Sequence, residues 1–456
     1  MSHPQKFHFI AIGGSVMHNL AIALSQQGHQ ISGSDDDIQD PSKSKLSKYD
    51  LLPPELGWYP DKIDNSVNAV ILGMHAKKDN PELLKAQSLG LPLLSFPEFI
   101  YNQSVNKQRI VICGSHGKTT ITALLIHVLS FFNRKFDYVI GAQQEGMENT
   151  VKLTDAPIIL IEGDEYLSSP LDPTAKFLKY HHHMAIISGI AWDHANVFAT
   201  SADYEKQFEL LADASPKCGT LIYNTDDKLV EKIAKKERAD VQTIGYATHD
   251  HVVENGVVYL IGPNKERTPI QLFGKHNLQN ISAAKELLKK IGISNDQFYE
   301  ALPSFKGADG RLQKIYASDS ATVYKDFAHA PSKVKASTDA IKSVFPKRHL
   351  IGCLELHTYS SLNKTFLPEY KGSMKACDTA LVYFNPEKVR QKGLEELDAS
   401  QIKAAFNHSN LTVFTDVTAL TEHLNSLPKK DINLAMMSSG NFGRLDINQL
   451  AETLFN

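Results

Sequence analysis

The sequence predicts an α/β fold built in three blocks, and three observations predict it. Short apolar runs of strand length alternate with stretches of helical period, which implies parallel sheets covered on both faces. Glycines and polar residues gather where the apolar runs end, and open α/β sheets bind ligands outside the carboxyl ends of their strands. The chain has 456 residues, too many for one core at roughly 150 residues per domain.

The first block is expected over residues 1–107. It opens with an apolar strand from Phe7 to Ile12, then a glycine turn and a helix from Ser15 to about Gln27, with Gly28 as a stop. A second strand, His29 to Ser34, ends in Asp35, and the run Asn68 to Gly73 supplies a later strand. The polar stretch Tyr101 to Gln108 closes the block. The second block is expected over residues 108–308 and begins with the strand Arg109 to Cys113. The helix that follows places Ile121, Leu124, Leu125, Val128, Leu129 and Phe132 on one stripe. Further strands are expected in "APIILIEGDE", "MAIISGIAWDH" and "GTLIYNTDD". The third block is expected over residues 309–456, with strands in "HLIGCLEL", "TALVYF" and "INLAMMSSG".

Bulk properties narrow the function. Apolar residues make up 42% and charged residues 22% of the chain, as in ordinary globular proteins. A formal charge of −3 gives no electrostatic reason to expect nucleic acid or an acidic membrane as partner. The start lacks the features of a secretory signal, and no run reaches the length of a membrane span. Cys113, Cys218, Cys353 and Cys377 are widely spaced, fit reduced thiols and form no zinc motif, so a cytoplasmic location is expected. The oligomeric state is not legible.

The chemistry concentrates in "RIVICGSHGKTT", Arg109 to Thr120. Gly117, Lys118 and Thr119 end it like a phosphate loop, G-x-x-x-x-G-K-[ST], but the place of the first glycine is Ile112. A strand before it and a helix after it are the context such a loop needs: amides at the helix start face phosphate, Lys118 reaches the β/γ oxygens and the Thr119 hydroxyl sits on Mg²⁺. The next strands end in Glu162, Asp164 and Glu165, and in Asp193 and His194. Parallel pairing would bring these ends beside the loop, with Glu162 the best Mg²⁺ ligand and His194 a holder of a second cation. Read alone, the acidic run also fits a solvated turn, and His194 a structural histidine. In the first block, Gly13 and Gly14 begin a glycine fingerprint whose third position is His18, with Asp35 where a ribose-binding acid would sit. A diphosphate on the amides after Gly13 and a plain tight turn both fit. His181, His182 and His183 are consecutive, so they share no face and do not read as a metal site.

Together the motifs resemble the Mur ligases of peptidoglycan synthesis, in the muramate–alanine ligase branch. The short loop Gly114–Thr120 is similar to that family's G-[TS]-x-G-K-T-T. "IEGDEY", "WDHANVF", "FGKHNLQN", "GRLQ", "YKDFAHAP" and "MSSGNFG" resemble its further segments in order, over nearly the whole chain. The resemblance implies a Rossmann-like N-terminal domain for the UDP-sugar, a P-loop central domain for ATP and a Rossmann-like C-terminal domain for the acceptor. It implies an ATP-dependent amide ligase acting on the lactyl carboxylate of UDP-N-acetylmuramate, with an amino acid or peptide acceptor and with ATP and Mg²⁺ as cofactors. "GDEY", "DHANVF", "DFAHAP" and "MSSGNFG" look more like the branch's murein peptide ligases, which add L-alanyl-γ-D-glutamyl-meso-diaminopimelate, than like those that add L-alanine.

The residue roles implied by the resemblance are specific. Gly114, Ser115, His116, Gly117, Lys118, Thr119 and Thr120 would hold the phosphates, with His276, Asn277, Asn280 and Asp326 on the rest of the nucleotide and Arg311 on the γ-phosphate. Lys118, Arg311 and His194 would be the catalytic set; Thr119, Glu162 and His194 would hold metal. Gly13, Gly14, Ser34, Asp35 and His75 would hold the UDP-sugar, and His329 and His357 would face the acceptor. Arg311 and the loop lie in different blocks, so closure of the third domain would complete the site.

Four departures mark this chain, one of them "ELHTYSSLN", Glu355 to Asn363, which differs from the acceptor-side segments of both relatives in the branch. Lys325 stands where the family has the first of two aspartates, and Ala330 replaces a second histidine. Several relatives use a carbamylated lysine on a second metal; here Phe208 stands at that place, leaving water or Glu209. Competing readings are a nicotinamide dehydrogenase, opposed by the broken fingerprint and the second nucleotide block, and a non-catalytic muramyl-peptide sensor, opposed by Lys118, Thr119, Glu162 and Arg311.

Overall fold

The computed structural model describes residues 4–144, 146–193, 197–236, 238–254 and 256–455. The chain divides into two compact units, Met1–Ile190 with Lys206–Gly245, and Ala191–Glu205 with Tyr246–Asn456. None of the helices among the described residues is long and apolar enough to cross a membrane.

The first unit holds two largely parallel sheets, the second with one antiparallel edge pair, Asp137–Val139 with Val151–Lys152. A four-stranded sheet runs in the order Gln30–Ser34, Lys6–Ile10, Ala69–Leu72, Leu93–Ser95, with parallel pairing throughout. Phe7, Phe9 and Ile10 are buried in its central strand, as expected for a run covered on both faces. That strand is shorter than its apolar run: the chain bends at Ala11 (φ 66°), whose amide bonds the Ser34 carbonyl at 2.9 Å. The helix Ser15–Gln26 follows the glycine turn. His18 fills the third fingerprint position by packing into the structure, its Nδ1 lying 2.9 Å from the Gly14 carbonyl and 3.0 Å from the Ser42 hydroxyl.

The second sheet has seven strands in the order Gln242–Tyr246, Thr220–Asn224, Met184–Ile187, Gln108–Cys113, Ile158–Glu162, Asp137–Val139, Val151–Lys152. Gln108–Cys113 pairs in parallel with Ile158–Glu162 on one side and Met184–Ile187 on the other. The strand expected to reach Asp193 stops at Ile187. Beyond it the chain turns to the phosphate loop: the Ser188 amide bonds the Cys113 carbonyl at 3.0 Å and the Gly189 carbonyl accepts from Ser115 at 2.9 Å. An antiparallel hairpin, Leu167–Ser169 with Asp172–Ala175, is inserted after Glu162 and has no counterpart in the sequence reading. Each of the three consecutive histidines has a partner within the first unit. His182 lies 3.0 Å from the Ser215 hydroxyl, His183 accepts from the Arg109 amide at 3.0 Å, and His181 packs on Tyr101.

The second unit contains a three-stranded antiparallel sheet, His251–Glu254, Val257–Ile261 and Arg267–Ile270, also absent from the sequence reading, followed by the helix Lys275–Lys290. Its main sheet has six strands in the order Gln313–Ala317, Ala321–Asp326, Ile432–Met437, His349–Leu356, Thr379–Phe384, Leu411–Phe414. The first pair is antiparallel and the rest are parallel. One core, including Val334, Leu354 and Met437, packs on one face; another, including Val323, Cys353 and Leu434, packs on the other. This is the doubly covered α/β architecture the sequence predicts.

One buried ion pair braces the central sheet. Lys107 Nζ donates to Asp137 Oδ2 at 2.6 Å and to the Ala156 carbonyl at 3.0 Å, while Asp137 also accepts from Thr154. Asp137 is fully buried, and an unpaired carboxylate there costs far more than a surface pair returns. Lys107→Met is expected to lower unfolding stability by about 3 kcal/mol, measured by denaturant titration. A loss below about 1 kcal/mol would place the pair with surface bridges.

Candidate active site

The parallel register positions the loop. Ile112, where longer phosphate loops have a glycine, is buried inside the strand and pairs with Glu162 and Ile186. The turn is confined to Gly114–Gly117. Gly114 has φ +130° and lies so close to Ser188 that a Cβ would meet its Oγ at 2.2 Å, so a side chain is excluded. Gly117 has φ +76° and precedes the helix Lys118–Phe131, which has no side-chain cap at its start. Ser115, Thr119 and Thr120 are buried against this turn, and the His116 carbonyl accepts from the Ser188 hydroxyl. An uncapped helix start behind a glycine turn is suited to phosphate.

Side chains from the next strand converge on the loop. Thr119 Oγ1 donates to Glu162 Oε1 at 2.7 Å, and the Gly141 amide donates to Glu162 Oε2 at 2.8 Å. Lys118 Nζ donates to Glu165 Oε2 at 2.5 Å and to the Gly114 carbonyl at 2.7 Å. Burial works against the charge on Lys118, but Glu165, Asp164 and Glu162 outweigh it and raise its pKa, so it stays an ammonium. Lys176 Nζ donates to Asp164 Oδ2 at 2.7 Å. Burial opposes ionisation of Asp164, yet Lys176 and Lys118 hold its carboxyl below the usual range. A hydroxyl and a carboxylate at hydrogen-bond distance form a hard oxygen set that suits Mg²⁺, which completes its shell with water and phosphate.

A cavity of about 310 Å³ joins this cluster to the first sheet. Its wall includes Gly14 and Ser15, Gly73 and His75, Lys118, Glu162, Asp164 and Lys176. Thus Gly14 and His75, read as sugar-nucleotide residues, meet Lys118 and Glu162 around one space. Gly13, Ser34 and Asp35 are not on that wall. Asp35 is buried and accepts from the Gly13 amide at 2.8 Å; burial raises its pKa against that bond. Ser34 is fully buried, with Lys62 Nζ 3.4 Å from its hydroxyl.

The second unit gathers a different set. His276, Asn277 and Asn280 lie at the start of the helix Lys275–Lys290, where Asn277 Nδ2 donates to the Phe273 carbonyl at 3.0 Å. Burial lowers the His276 pKa, partly offset by Asp326 nearby. Asp326 accepts from the Leu312 amide at 3.1 Å and from the Ser337 hydroxyl, so it ties the Arg311 turn to its strand end. Arg311 stacks over Phe327 at 4.5 Å. His329 Nε2 lies 3.9 Å from Asp193, which also pairs with Lys333 at 3.2 Å. Asp193 is therefore paired within the second unit, to which it belongs, and is not a residue of the strand Met184–Ile187. His357 Nδ1 lies 3.7 Å from Glu355, a buried carboxylate that also accepts from Ser438 and from the Phe442 amide at 2.8 Å. Burial opposes it, but those bonds hold Glu355 below its ordinary pKa.

Two of the departures, Lys325 and Phe208, have physical explanations, and nothing in the structure explains Ala330. Lys325 is exposed and adjacent to buried Asp326, and neighbouring strand residues point to opposite faces, so its charge lies on the far side of the strand. Phe208 is fully buried against Phe177, and Glu209 pairs with Lys206 at 3.0 Å. His194 lies outside the described residues. Lys176, Tyr180, Lys333 and Glu355 were given no site role by the sequence reading: Lys176 and Tyr180 lie in a short turn of helix, Lys333 in the helix Pro331–Val344 and Glu355 inside the strand His349–Leu356, so no motif spacing marks them.

Replacing Lys118 with Met removes the one lysine of the loop, whose ammonium lies against Glu165 and the Gly114 carbonyl. Affinity for a nucleoside triphosphate with magnesium, measured by calorimetry, is expected to fall about tenfold or more. Unchanged affinity would contradict a phosphate role for the loop.

Comparison with known proteins gives the family. Three domain models match in order: "Mur ligase family, catalytic domain" over residues 6–104, "Mur ligase middle domain" over 112–288 and "Mur ligase, glutamate ligase domain" over 310–440. A UDP-N-acetylmuramate–L-alanine ligase of Clostridium kluyveri is 27% identical over 99% of this chain and 98% of its own. A murein peptide ligase from Psychrobacter arcticus aligns with a TM-score of 0.66 and 22% identity over 99% of both chains. A UDP-N-acetylmuramate–alanine ligase from Thermotoga maritima aligns with a TM-score of 0.71 and 17% identity over 98% of both. With all three models in register and its phosphate loop in the short form, this chain belongs to the Mur ligase family, whose members are ATP-dependent ligases that form amide carbon–nitrogen bonds.

Proposed function

We propose that this protein joins the lactyl carboxylate of UDP-N-acetylmuramate to the amine of an acceptor, and that the acceptor is L-alanine. The observation that carries the reading is the cavity that brings Gly14 and His75 of the first sheet to Lys118 and Glu162 of the phosphate loop. A sugar nucleotide on one side and ATP on the other would meet there. Thr119 and Glu162 would hold Mg²⁺, which neutralises charge on the phosphate oxygens. Lys118 would face the β/γ oxygens as an ammonium already oriented by Glu165. The carboxylate oxygen attacks the γ-phosphorus, ADP leaves, and an acyl phosphate forms. The neutral amine then attacks the acyl carbon; phosphate departs with the former carboxylate oxygen, and the amine gives up a proton. Catalysis of this kind is chiefly positioning and charge neutralisation. Arg311, His276, Asn277, Asn280 and Asp326 are assigned to the nucleotide, and His329 and His357 to the acceptor side. The domain bounds 1–107, 108–308 and 309–456 are proposed with them.

Support for L-alanine comes from curated relatives named for that reaction, which match at 27–28% identity across most of the chain. A second reading, ligation of L-alanyl-γ-D-glutamyl-meso-diaminopimelate, is favoured by the segments "GDEY", "DHANVF", "DFAHAP" and "MSSGNFG". Phosphate release with ATP, Mg²⁺ and UDP-N-acetylmuramate, with product masses checked, separates the two. Release is expected with L-alanine. Release with the tripeptide alone would establish the second reading, and silence with every acceptor would overturn the ligase.

A further inference from the structure

The cavity wall carries a second lysine that the phosphate loop does not supply. Lys176 follows the hairpin inserted after Glu162, and local bonds hold its backbone in place. Its amide donates to the Tyr166 carbonyl at 2.9 Å, the Phe177 amide donates to the Asp164 carbonyl at 3.1 Å, and Ala175 pairs with Leu167. The ammonium is drawn to Asp164 at 2.7 Å, over the ring of Tyr166. Only 15% of the Lys176 side chain is exposed, whereas Asp164 keeps 40%. Buried Tyr180 and Ser168 flank it on the same wall. Burial of a lysine costs free energy unless its charge is used.

The proposed reaction places three anionic groups near this space: the triphosphate, the sugar-nucleotide diphosphate and the lactyl carboxylate. Lys118 and the helix start behind Gly117 suit the first, and the helix start at Ser15 suits the second. Lys176 is the remaining lysine or arginine among the described residues on the wall. We propose that Lys176 binds the lactyl carboxylate of the sugar nucleotide and holds it for attack on the γ-phosphate, with Asp164 orienting the ammonium. This rests on the ligase reading above. The inserted hairpin is then a substrate-positioning element: it carries Lys176 back to the carboxyl end of the central strands, beside the loop that holds ATP.

The role separates from a structural one by ligand. UDP-N-acetylglucosamine has the same nucleotide and sugar without the lactyl carboxylate. Calorimetric titration of full-length wild-type, Lys176→Met and Lys176→Arg proteins with both ligands reads the difference. Lys176→Met is expected to weaken UDP-N-acetylmuramate by about tenfold or more while changing UDP-N-acetylglucosamine, with or without measurable binding, by less than about twofold. Lys176→Arg, which keeps the charge, is expected to restore most of the loss, and the KM for ATP is expected to stay unchanged. Equal weakening of both ligands, or of neither, would overturn the assignment while leaving the ligase reading intact. Failure of the wild-type protein to bind UDP-N-acetylmuramate would overturn both.

Discussion

The parallel register around Ile112 is the constraint on which the site depends. Pairing Ile112 with Glu162 on one side and with Ile186 on the other brings three strand ends to one level. Cys113 then hands the chain to the loop, Glu162 meets Thr119, and Ser188 closes on Gly114 and His116. A slip of one residue in Ile158–Glu162 would turn the Glu162 side chain to the opposite face. The short loop follows from the same constraint. Ile112 is committed to the core, so the turn has only Gly114–Gly117 in which to expose amides. The buried wall at Ser188 leaves no room for a side chain at Gly114.

Charge in the first unit is arranged in advance of any ligand. Lys118 lies against Glu165, Lys176 against Asp164, and Thr119 against Glu162. Each contact holds a group in a rotamer that already faces the cavity, which reduces the entropy that substrate must overcome. Each also means that an arriving phosphate or magnesium exchanges one charged partner for another. Low-dielectric surroundings make such exchanges sensitive to single charges. The second unit has its own counterpart: Asp326 braces the turn that presents Arg311, and Glu355 sits beside His357 at the end of the strand His349–Leu356.

Much of the fold was legible because strand length, glycine position and helical period are local properties. The central strand and the helix after Lys118 fall within a residue or two of expectation, as do His349–Leu356 and Thr379–Phe384. What local pattern could not show is where a run stops being paired. "MAIISGIAWDH" reads as one strand, yet Ser188 and Gly189 bond to the phosphate loop and the ladder ends at Ile187. Asp193 consequently pairs with Lys333 and His329 within the second unit, to which it belongs, partners far away in sequence. The hairpin Leu167–Ala175 was equally hidden, being short and partly polar, with Pro170 and Pro173 making the whole stretch read as a loop. Among the site residues, the glycine loop and Glu162 announced themselves through spacing. Lys176 did not, because its place on the wall is set by that hairpin and by Asp164.

The central claim is that a carboxylate and ATP react across the cavity between Gly14 and Lys118. It is tested most directly by labelling both oxygens of the lactyl carboxylate of UDP-N-acetylmuramate with heavy oxygen and analysing the released phosphate by mass spectrometry. Attack of the carboxylate on the γ-phosphorus transfers one of its oxygens, so the account predicts label in the phosphate formed during turnover. Product formation with unlabelled phosphate would show that the carboxylate is not activated by phosphoryl transfer, and would contradict the account.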